Sequence, residues 1–452
     1  MTKDLAAYLT GRRDRLVEEL LEFVRIPAVA EDGGPAMRTM ADRCAAKCAE
    51  AGLDVRVEDT EGHPVVFASG GPRDAPFTLL TYGHYDVFPV SGQQGWDTDP
   101  FDPVVRGDRV HGRGAGDNKG QFLSHLNAFQ WWQREAGGLP IRVKVVLDGE
   151  EERGSPTLPE FVLRNRDELA ADLCVYSDGP MLPGDRPAVL FGARGGLALE
   201  LTATRPGGPL HSGNFGGVVA NPVLALARLL ADLVAPNGDL LAPGVDDGID
   251  VLTDTERRAL AAMEFDPVEF RARTGTASLP AEFGESHYER LLCRPCFTVS
   301  GITGGYTGEG VRGVIPSTAT AKADVRLVSA QDPDAVFESI RAFARGYGVD
   351  VVELFAQPPS RTPLDHPYAD LVARALADTT GREPVRVPSL AGTTPDWVFT
   401  RLLGLPAFMV PLAPADQNHH GPNETMKISL YLQGIRTSAR LVEVLAQNGR
   451  VA

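Results

Sequence analysis

One segment sets the expected architecture of this chain: Phe77-Thr78-Leu79-Leu80-Thr81-Tyr82-Gly83-His84-Tyr85-Asp86. Its first six residues are apolar or rich in strand formers, so they predict a buried strand. Two polar side chains, His84 and Asp86, follow that strand directly. Chemistry in α/β enzymes collects in the loops beyond strand ends. The segment therefore predicts an α/β fold with His84 and Asp86 at its functional site.

The same pattern occurs twice more along the chain. A strand predicted at 141–147 runs into Asp148-Gly149-Glu150-Glu151-Glu152, and one predicted at 173–176 runs into Ser177-Asp178. Neighbouring carboxylates repel one another, so an acidic run at a strand end is costly unless cations offset the charge. Three strands that each end on a histidine or an acid predict one shared cation site.

The residue types suit a pair of divalent cations. Zinc binds imidazole nitrogen and carboxylate oxygen, and two close metal ions are suited to hydrolysis. His84 is a candidate ligand, and Asp86 is placed to orient its ring. Within the acidic run, one carboxylate would bind metal while a neighbour acts as general base. The other candidate ligands are Asp117, placed to bridge two metals, with Asp178 and His420 on the outer sides.

Each of these residues also has an ordinary structural interpretation. Asp117 suits a helix N-cap, because a helix is predicted from about Gly120 to Glu135. The acidic run suits a solvated loop, Asp178 a turn, and the pair His419-His420 the protein surface. Only their combination favours a metal site.

Two further residues are candidates for substrate contact. His211 lies in a glycine-rich turn, and Arg326 lies in an alternating strand predicted at 323–328. Arginine is well shaped to hold a carboxylate through two hydrogen bonds. The alternatives are a loop histidine and an exposed arginine in a salt bridge.

Length and composition narrow the class of protein. The 452 residues predict two domains, and a formal net charge of −16 argues against a nucleic-acid partner. The N-terminus does not resemble a signal segment, and no apolar run approaches 18 residues, so we expect no membrane span. Five cysteines suit reduced thiols in a cytoplasm. Cys293-x-x-Cys296 is interpreted as two incidental thiols rather than a metal or redox pair.

A change of periodicity predicts the domain organisation. After Arg194-Gly195-Gly196 the chain alternates as half-exposed antiparallel strands do, and the α/β pattern resumes from Pro367. We therefore expect one α/β domain from residues 1–196 and 364–452, with an α+β domain inserted at 197–363.

The ordered motifs resemble one family. It is the carnosinase and cytosolic non-specific dipeptidase family of co-catalytic di-zinc metallopeptidases. Carboxypeptidase G belongs to that group, and aminoacylase and succinyl-diaminopimelate desuccinylase are more distant relatives. The resemblance is carried by Tyr82-Gly83-His84-Tyr85-Asp86-Val87, Gly112-Arg113-Gly114-Ala115-Gly116-Asp117-Asn118-Lys119-Gly120, Asp148-Gly149-Glu150-Glu151-Glu152-Arg153-Gly154-Ser155 and His420-Gly421-Pro422-Asn423-Glu424.

The resemblance implies roles for the candidate metal residues. One zinc would be held by His84, Asp117 and Asp178. The other would be held by Asp117, Glu152 and His420. Glu151 matches the general base and Asp86 the orienting aspartate. Glu150 falls where the family has a non-acidic residue, so a slip of the base by one position among Glu150, Glu151 and Glu152 stays open. Manganese or cobalt are the alternative metals.

The resemblance also implies an architecture and a substrate site. The catalytic domain would be a mixed sheet flanked by helices, and the insertion would be a lid that forms a homodimer. His211 matches a lid histidine that supports the oxyanion, in its own or the partner's site. Arg326, with Gly392 and Thr393, matches the contacts to the substrate carboxylate.

The implied reaction is hydrolysis of the amide bond of dipeptides or similar small substrates with a free carboxylate. A zinc-bridging hydroxide would attack, with Glu151 as general base. An N-acyl amino acid deacylase or desuccinylase with the same metals is the alternative enzyme. A non-catalytic dimeric binding protein and an acidic scaffold without metals are the alternatives from other classes. Phe88 and the run Ala391-Gly392-Thr393-Thr394 depart from the family pattern, which leaves the substrate open.

Overall fold

The computed structural model describes residues 2–277, 286–328 and 330–448 and divides the chain into two compact units. The larger unit comprises Met1–Gly192, Thr362–Pro388 and Pro395–Ala452, and the smaller unit comprises Ala193–Arg361 and Ser389–Thr394. The return of residues 389–394 to the smaller unit differs from the expected boundary. Hydrogen bonds from Arg194 to the carbonyl oxygen of Ala391 and from Gln357 to that of Thr394 account for it.

The helices of the larger unit lie before and after the insertion. They are α1 (Thr2–Val24), α2 (Pro35–Glu50), α3 (Gly120–Glu135), α4 (Leu158–Arg164), α5 (Arg166–Leu169), α12 (Pro367–Thr380) and α13 (Ile428–Asn448). The helices of the smaller unit are α6 (Ser212–Phe215), α7 (Pro222–Leu233), α8 (Asp254–Ala261), α9 (Pro267–Thr274), α10 (His287–Cys293) and α11 (Pro333–Arg345). Within the described residues, no helix has both the length and the apolar character needed to cross a membrane.

The strands also divide between the units. Those of the larger unit are β1 (Asp54–Glu58), β2 (Val65–Gly70), β3 (Thr78–His84), β4 (Val104–Arg106), β5 (Arg109–His111), β6 (Arg142–Asp148), β7 (Leu173–Tyr176), β8 (Ala188–Leu190), β15 (Val385–Val387), β16 (Ala407–Met409) and β17 (Thr425–Lys427). Those of the smaller unit are β9 (Gly195–Thr204), β10 (Leu210–His211), β11 (Cys296–Gly304), β12 (Val314–Ile315), β13 (Thr318–Leu327) and β14 (Val349–Gln357).

An eight-stranded mixed sheet forms the centre of the larger unit, in the order β1-β2-β6-β3-β7-β16-β8-β15. Strand β3 pairs in parallel with both β6 and β7. Strand β2 pairs antiparallel with β1 on one side and with β6 on the other. Strands β2, β6 and β7 are almost wholly buried, as apolar strands covered on both faces should be. This sheet and its flanking helices confirm the predicted fold class.

The smaller unit is built on a four-stranded antiparallel sheet in the order β11-β13-β9-β14. Alternate residues of β9 and β13 are buried, and helices α7 and α11 contribute the facing apolar side chains. A second layer of helices on one sheet face is the usual way for an antiparallel sheet to bury one side. The predicted α+β character of this segment is therefore present.

One part of the larger unit differs from the sequence interpretation. The segment from Pro89 to Gly116 is rich in proline, glycine and aspartate, a composition that predicts a long loop, but it contains the short antiparallel strands β4 and β5. Strand β17, far away in sequence, pairs with β5 and completes a three-stranded sheet. Strands of three residues that pair with a distant segment leave little periodicity in the sequence.

A buried histidine links three elements of the larger unit. Nε2 of His125, on α3, lies 2.9 Å from Oγ of Ser177, and Nδ1 lies 2.9 Å from Oγ of Ser438 on α13. Because the Ser438 hydroxyl donates to the carbonyl oxygen of Gly434, Nδ1–H of His125 donates to Ser438 and Nε2 accepts from Ser177. Both ring nitrogens are thus satisfied in the neutral form.

Stability is expected to depend on pH through His125. Burial lowers the pKa of His125 to about 4, against 6.5 for an exposed imidazole. The unfolded chain therefore binds the extra proton first, and the stabilisation is complete above pH 6.5 and lost as the pH falls towards 4. The loss amounts to roughly 3 kcal/mol. Thermal unfolding followed by circular dichroism should show a smaller fall in Tm between pH 7 and pH 5 for His125→Gln than for the wild type. A His63→Gln control should keep the wild-type slope, and equal slopes for all three proteins would contradict the assignment.

Candidate metal centre

The centre lies where three parallel strands end side by side. His84 is the last residue of β3, which pairs with β6 and β7. The acidic run follows β6, and Asp178 follows β7 by two residues. Parallel neighbours present their carboxyl ends at the same sheet edge, so side chains far apart in sequence meet there.

The loop that carries Asp117 is held by the carboxylate of Glu424. Glu424 is fully buried, and its two oxygens accept hydrogen bonds from the backbone N–H groups of Gly114, Gly116 and Asp117 at 3.0, 2.9 and 2.9 Å. Nη1 of Arg113 also donates to Glu424, at 2.7 Å. Four donors on one carboxylate set the backbone of the loop and hence the position of Asp117.

Arg113 connects this loop to the segment that carries His420. Its Nη2 donates to the carbonyl oxygens of His420 and Gly421, both at 3.2 Å. The segments also pack closely, because a Cβ on Gly116 would lie 2.9 Å from the backbone carbonyl oxygen of Thr425. Glycine at 116 is therefore required by close approach.

Asp117 stands between two groups of candidate ligands. Its Oδ1 lies 3.1 Å from Nε2 of His84, and its Oδ2 lies 3.2 Å from Nε2 of His420. On the first side, Oδ2 of Asp178 lies 3.8 Å from Nε2 of His84. On the second side, Oε2 of Glu152 lies 3.1 Å from Nε2 of His420. One carboxylate thus faces two separate sets of nitrogen and oxygen donors.

The three acids after β6 point in different directions. Glu150 faces away from the centre, where its carboxylate accepts from the hydroxyl of Thr157. Glu151 faces the centre, with Oε2 at 3.9 Å from Nε2 of His84. Glu152 contacts His420. The turn Glu151–Arg153 separates these directions, and it places only Glu151 and Glu152 among the candidate ligands.

Asp86 connects His84 to the acidic run. Its Oδ1 lies 3.3 Å from Nδ1 of His84, on the ring edge opposite the candidate ligands. The same carboxylate accepts hydrogen bonds from the backbone N–H groups of Glu151 at 3.2 Å and Glu152 at 3.1 Å. Asp86 is fully buried, so this arrangement fixes the imidazole and both glutamates together.

Burial and mutual repulsion shift the pKa values of the acids of the centre. Burial raises the pKa of Glu151 well above its usual range, and it raises the pKa of Glu152 to about 7. Burial also raises the pKa of Asp178. For Asp117 burial acts in the same direction, but hydrogen bonds from His419, His420 and His84 outweigh it and lower the pKa well below the usual range.

The pKa values of two histidines of the centre are raised. Burial acts to lower the pKa of His84, yet hydrogen bonds with Asp117 and Asp86 raise it well above the ordinary imidazole value. For His420, burial is likewise outweighed by the hydrogen bonds with Asp117 and Glu152, which raise the pKa to about 10. The centre is therefore a place where positive charge is favoured.

The donor set fits divalent cations. Oε1 of Glu152 is buried and has no hydrogen-bond partner among the described residues. A buried carboxylate oxygen without a donor is costly, and a cation would satisfy it. Three groups, His84, Asp117 and Asp178, each offer one donor atom within 4.8 Å of the others. Imidazole nitrogen with carboxylate oxygen is a set that zinc accepts.

The substrate-contact candidates lie in the smaller unit. Nη1 of Arg326 donates to Oγ1 of Thr393 at 2.7 Å, and Nε donates to Oδ2 of Asp324 at 2.9 Å. The carbonyl oxygen of Gly392 accepts from the N–H of Arg194. His211 is exposed at the end of β10, where Nδ1 accepts from the N–H of Gly213. The structure thus brings Arg326 and Thr393 together, whereas the hydrogen bond of His211 is made within its own turn.

Sequence reasoning did not identify two contributors to the centre. His419, interpreted as a surface imidazole, has Nε2 only 2.7 Å from Oδ2 of Asp117. Arg113 lies in the glycine-rich motif at 112–120, but the motif does not predict its hydrogen bonds to Glu424 and to the backbone of His420. An arginine within a glycine-rich loop carries no signal of its own in one sequence, because its partners are about 310 residues away.

Comparisons with known proteins agree with the resemblance seen in the sequence. Residues 80–444 match Peptidase family M20/M25/M40. A Beta-Ala-His dipeptidase of Rattus norvegicus is 27% identical over 463 residues, spanning 96% of this chain and 94% of the relative. A Cys-Gly metallodipeptidase of Schizosaccharomyces pombe is 27% identical over 466 residues, spanning 96% of each.

A solved structure is similar over almost the whole length. It is the crystal structure of an M20 family metallo-carboxypeptidase from Sulfolobus solfataricus, with a TM-score of 0.87 and 30% identity, covering 96% of this chain and 99% of that one. The resemblance proposed from the motifs is thereby confirmed. With its paired donor sets around Asp117, this chain belongs to Peptidase family M20/M25/M40 and is a metallopeptidase.

Proposed function

We propose that the protein hydrolyses the amide bond of dipeptides or similar small substrates that carry a free carboxylate. The observation that supports this most directly is the position of Asp117 between His84 and His420, with Glu151 beside them. Relatives that span at least 94% of both chains are named as dipeptidases, which supports a dipeptide as substrate.

We assign two divalent cations per subunit to the centre, with zinc as the metal. His84, Asp117 and Asp178 would hold one, and Asp117, Glu152 and His420 would hold the other. When bound, such a pair supplies Lewis-acid activation of a carbonyl and of a water. The buried and unpartnered Oε1 of Glu152 supports a cation on the His420 side.

Glu151 is proposed as the general base. The carboxylate of Asp86 accepts a hydrogen bond from the backbone N–H of Glu151. Oε2 of Glu151 lies 3.9 Å from Nε2 of His84, whereas Oε2 of Glu152 makes a shorter contact, 3.1 Å from Nε2 of His420. In this role Oε2 of Glu151 takes the proton of the attacking water and returns it to the nitrogen of the leaving amine. The turned-away carboxylate of Glu150 supports this assignment over a slip of one residue.

The smaller unit is proposed to act as a lid and to contribute the substrate contacts. Arg326, with Gly392 and Thr393 beside it, would bind the substrate carboxylate, since its guanidinium is already oriented by Asp324 and Thr393. His211 would donate to the oxygen that becomes negative during attack, either in its own subunit or in a partner's.

We further propose a homodimer formed through the smaller unit. Strand β11 lies at the edge of its sheet, with Val299 41% and Ile302 56% exposed. Leu224 on α7 is 52% exposed. An edge strand with exposed apolar residues is a ready pairing surface, and a two-fold axis would pair it with its own copy.

We also place the protein in the cytoplasm. The described cysteines, Cys44, Cys48, Cys174, Cys293 and Cys296, are all free thiols, as is usual in a reducing compartment. Recovery of the protein in a membrane or extracellular fraction of its own cells would contradict this placement.

Glu151→Gln should keep both cations and lose turnover. General acid–base catalysis contributes about 10²- to 10⁴-fold, so kcat on a dipeptide should fall by that order. Elemental analysis should still find two ions per subunit. Glu150→Gln is the matched control, one residue away with the same chemical change, and should retain turnover because its carboxylate faces Thr157. Loss of an ion from Glu151→Gln, or a comparable loss of turnover in Glu150→Gln, would contradict the assignment of Glu151 as the general base.

Arg326→Ala should weaken the use of substrates with a free carboxylate. Loss of a charge-assisted hydrogen-bond pair costs about 2–3 kcal/mol, so kcat/KM should fall roughly 30- to 140-fold, mainly through KM. Dipeptide amides, which lack that carboxylate, should be affected little. Lys322→Ala, on the same strand and sheet face, is the control. An unchanged KM across the panel would refute the role, and faster cleavage of acetyl- or succinyl-amino acids than of dipeptides would favour a deacylase.

Ile302→Lys should convert the dimer to a monomer, because a charge would be buried where an apolar edge pairs. Size-exclusion chromatography with light scattering measures the mass. Val352→Lys, on the opposite edge strand β14 and equally 56% exposed, should leave the dimer intact. A monomeric wild type, or dissociation by Val352→Lys alone, would rule out pairing through β11.

A further inference from the structure

His419 is the contributor to the centre that the family motif does not account for. We propose that His419 is an additional ligand on the His420 side, and that it makes this position selective for cations that prefer nitrogen, such as zinc, over manganese. This inference rests on the proposed two-cation function and adds a donor and a metal preference to it.

The distances support a shared role for the two adjacent imidazoles. Nε2 of His419 lies 2.7 Å from Oδ2 of Asp117, and Nε2 of His420 lies 3.2 Å from the same oxygen. Donor atoms of Asp117, His419 and His420 all lie within 4.8 Å of one another. With Glu152 at 3.1 Å from His420, the position has two imidazoles and two carboxylates around it.

A local backbone turn explains how neighbouring side chains reach one atom. Asn418 and His420 have positive φ values of 58° and 57°, and the N–H of Gly421 donates to the carbonyl oxygen of Asn418 at 2.8 Å. In an extended strand, consecutive side chains point to opposite faces. Here the turn places the rings of His419 and His420 with centroids 4.1 Å apart at 68°.

Two neighbours hold His420 in place. Phe88, one of the departures from the family pattern, stacks on His420 with centroids 4.1 Å apart and an angle of 12°. Nη2 of Arg113 holds the backbone carbonyl of His420. The side chains of His419 and His420 are 39% and 40% exposed, and Nε2 of His419 makes the shorter contact with Oδ2 of Asp117. The turn therefore directs Nε2 of His419 at the carboxylate of Asp117.

An additional imidazole changes the preference among cations. Imidazole nitrogen favours zinc and cobalt, whereas carboxylate and water suit manganese. Replacing His419 should therefore weaken the binding of zinc more than the binding of manganese. A residue that only donated a hydrogen bond to Asp117 would instead affect both cations alike, because both would bind the same carboxylate.

The test compares cation binding by the full-length wild type, His419→Gln, His420→Gln and His63→Gln after removal of metal with a chelator. Zinc affinity is measured by competition with a chromophoric chelator, and manganese affinity by the electron paramagnetic resonance signal of the free ion. His419→Gln should bind zinc about 10-fold or more weakly at one of two positions, with manganese affinity changed by less than about 3-fold. The visible spectrum of the cobalt-loaded form should change in the same variant, because one nitrogen donor is lost.

The controls separate this inference from the proposed function. His420→Gln should lose one ion, and His63→Gln, at a half-buried site bonded to the carbonyl oxygen of Ala30, should match the wild type. If His419→Gln binds zinc as the wild type does and keeps its cobalt spectrum, His419 is not a ligand while the two-cation site stands. Equal weakening of zinc and manganese binding would also overturn the proposal, and it would assign His419 the role of a hydrogen-bond donor to Asp117. A wild type that binds no ion would overturn both proposals.

Discussion

The carboxylate of Glu424 is the interaction on which the candidate centre depends. It accepts three backbone N–H groups of the loop before and at Asp117, and the guanidinium of Arg113 neutralises it in the interior. Arg113 in turn holds the backbone of His420. Removing either partner would leave an uncompensated buried charge, which is more costly than the loss of one ordinary hydrogen bond. A buried ion pair thus positions two candidate ligands that are about 300 residues apart in sequence, Asp117 and His420.

Asp86 is a second buried acid that positions several groups of the centre at once. One carboxylate lies against the imidazole of His84 and also accepts the backbone N–H groups of Glu151 and Glu152. The side chains of the centre are therefore arranged by two buried acids, Asp86 and Glu424, whose own charges are met by donors. Burial raises the pKa of the acids that face the centre, Glu151, Glu152 and Asp178, and Oε1 of Glu152 has no hydrogen-bond partner among the described residues. This contrast separates the carboxylates that build the site from those that we propose to bind cations and to accept a proton.

Periodicity made the fold predictable in most places. Strand β7 and helix α3 have the predicted bounds, because buried runs and a glycine-rich start are local properties of the chain. The small sheet of β4, β5 and β17 was missed, since its three-residue strands are stabilised by pairing with a distant segment. The return of residues 389–394 to the smaller unit was missed for the same reason: its hydrogen bonds with Arg194 and Gln357 cannot be read from local pattern.

The sequence by itself determined the class of chemistry, because histidines and acids directly after apolar strands must gather at one sheet edge once those strands pair in parallel. It also determined the order of the motifs that place the chain in its family. Only the tertiary structure decided which way each side chain points. It turned Glu150 towards Thr157, left Oε1 of Glu152 without a donor, and directed His419 at Asp117. Those outcomes depend on backbone turns and on partners far away in the chain, and neither leaves a mark on the identity of the residue itself.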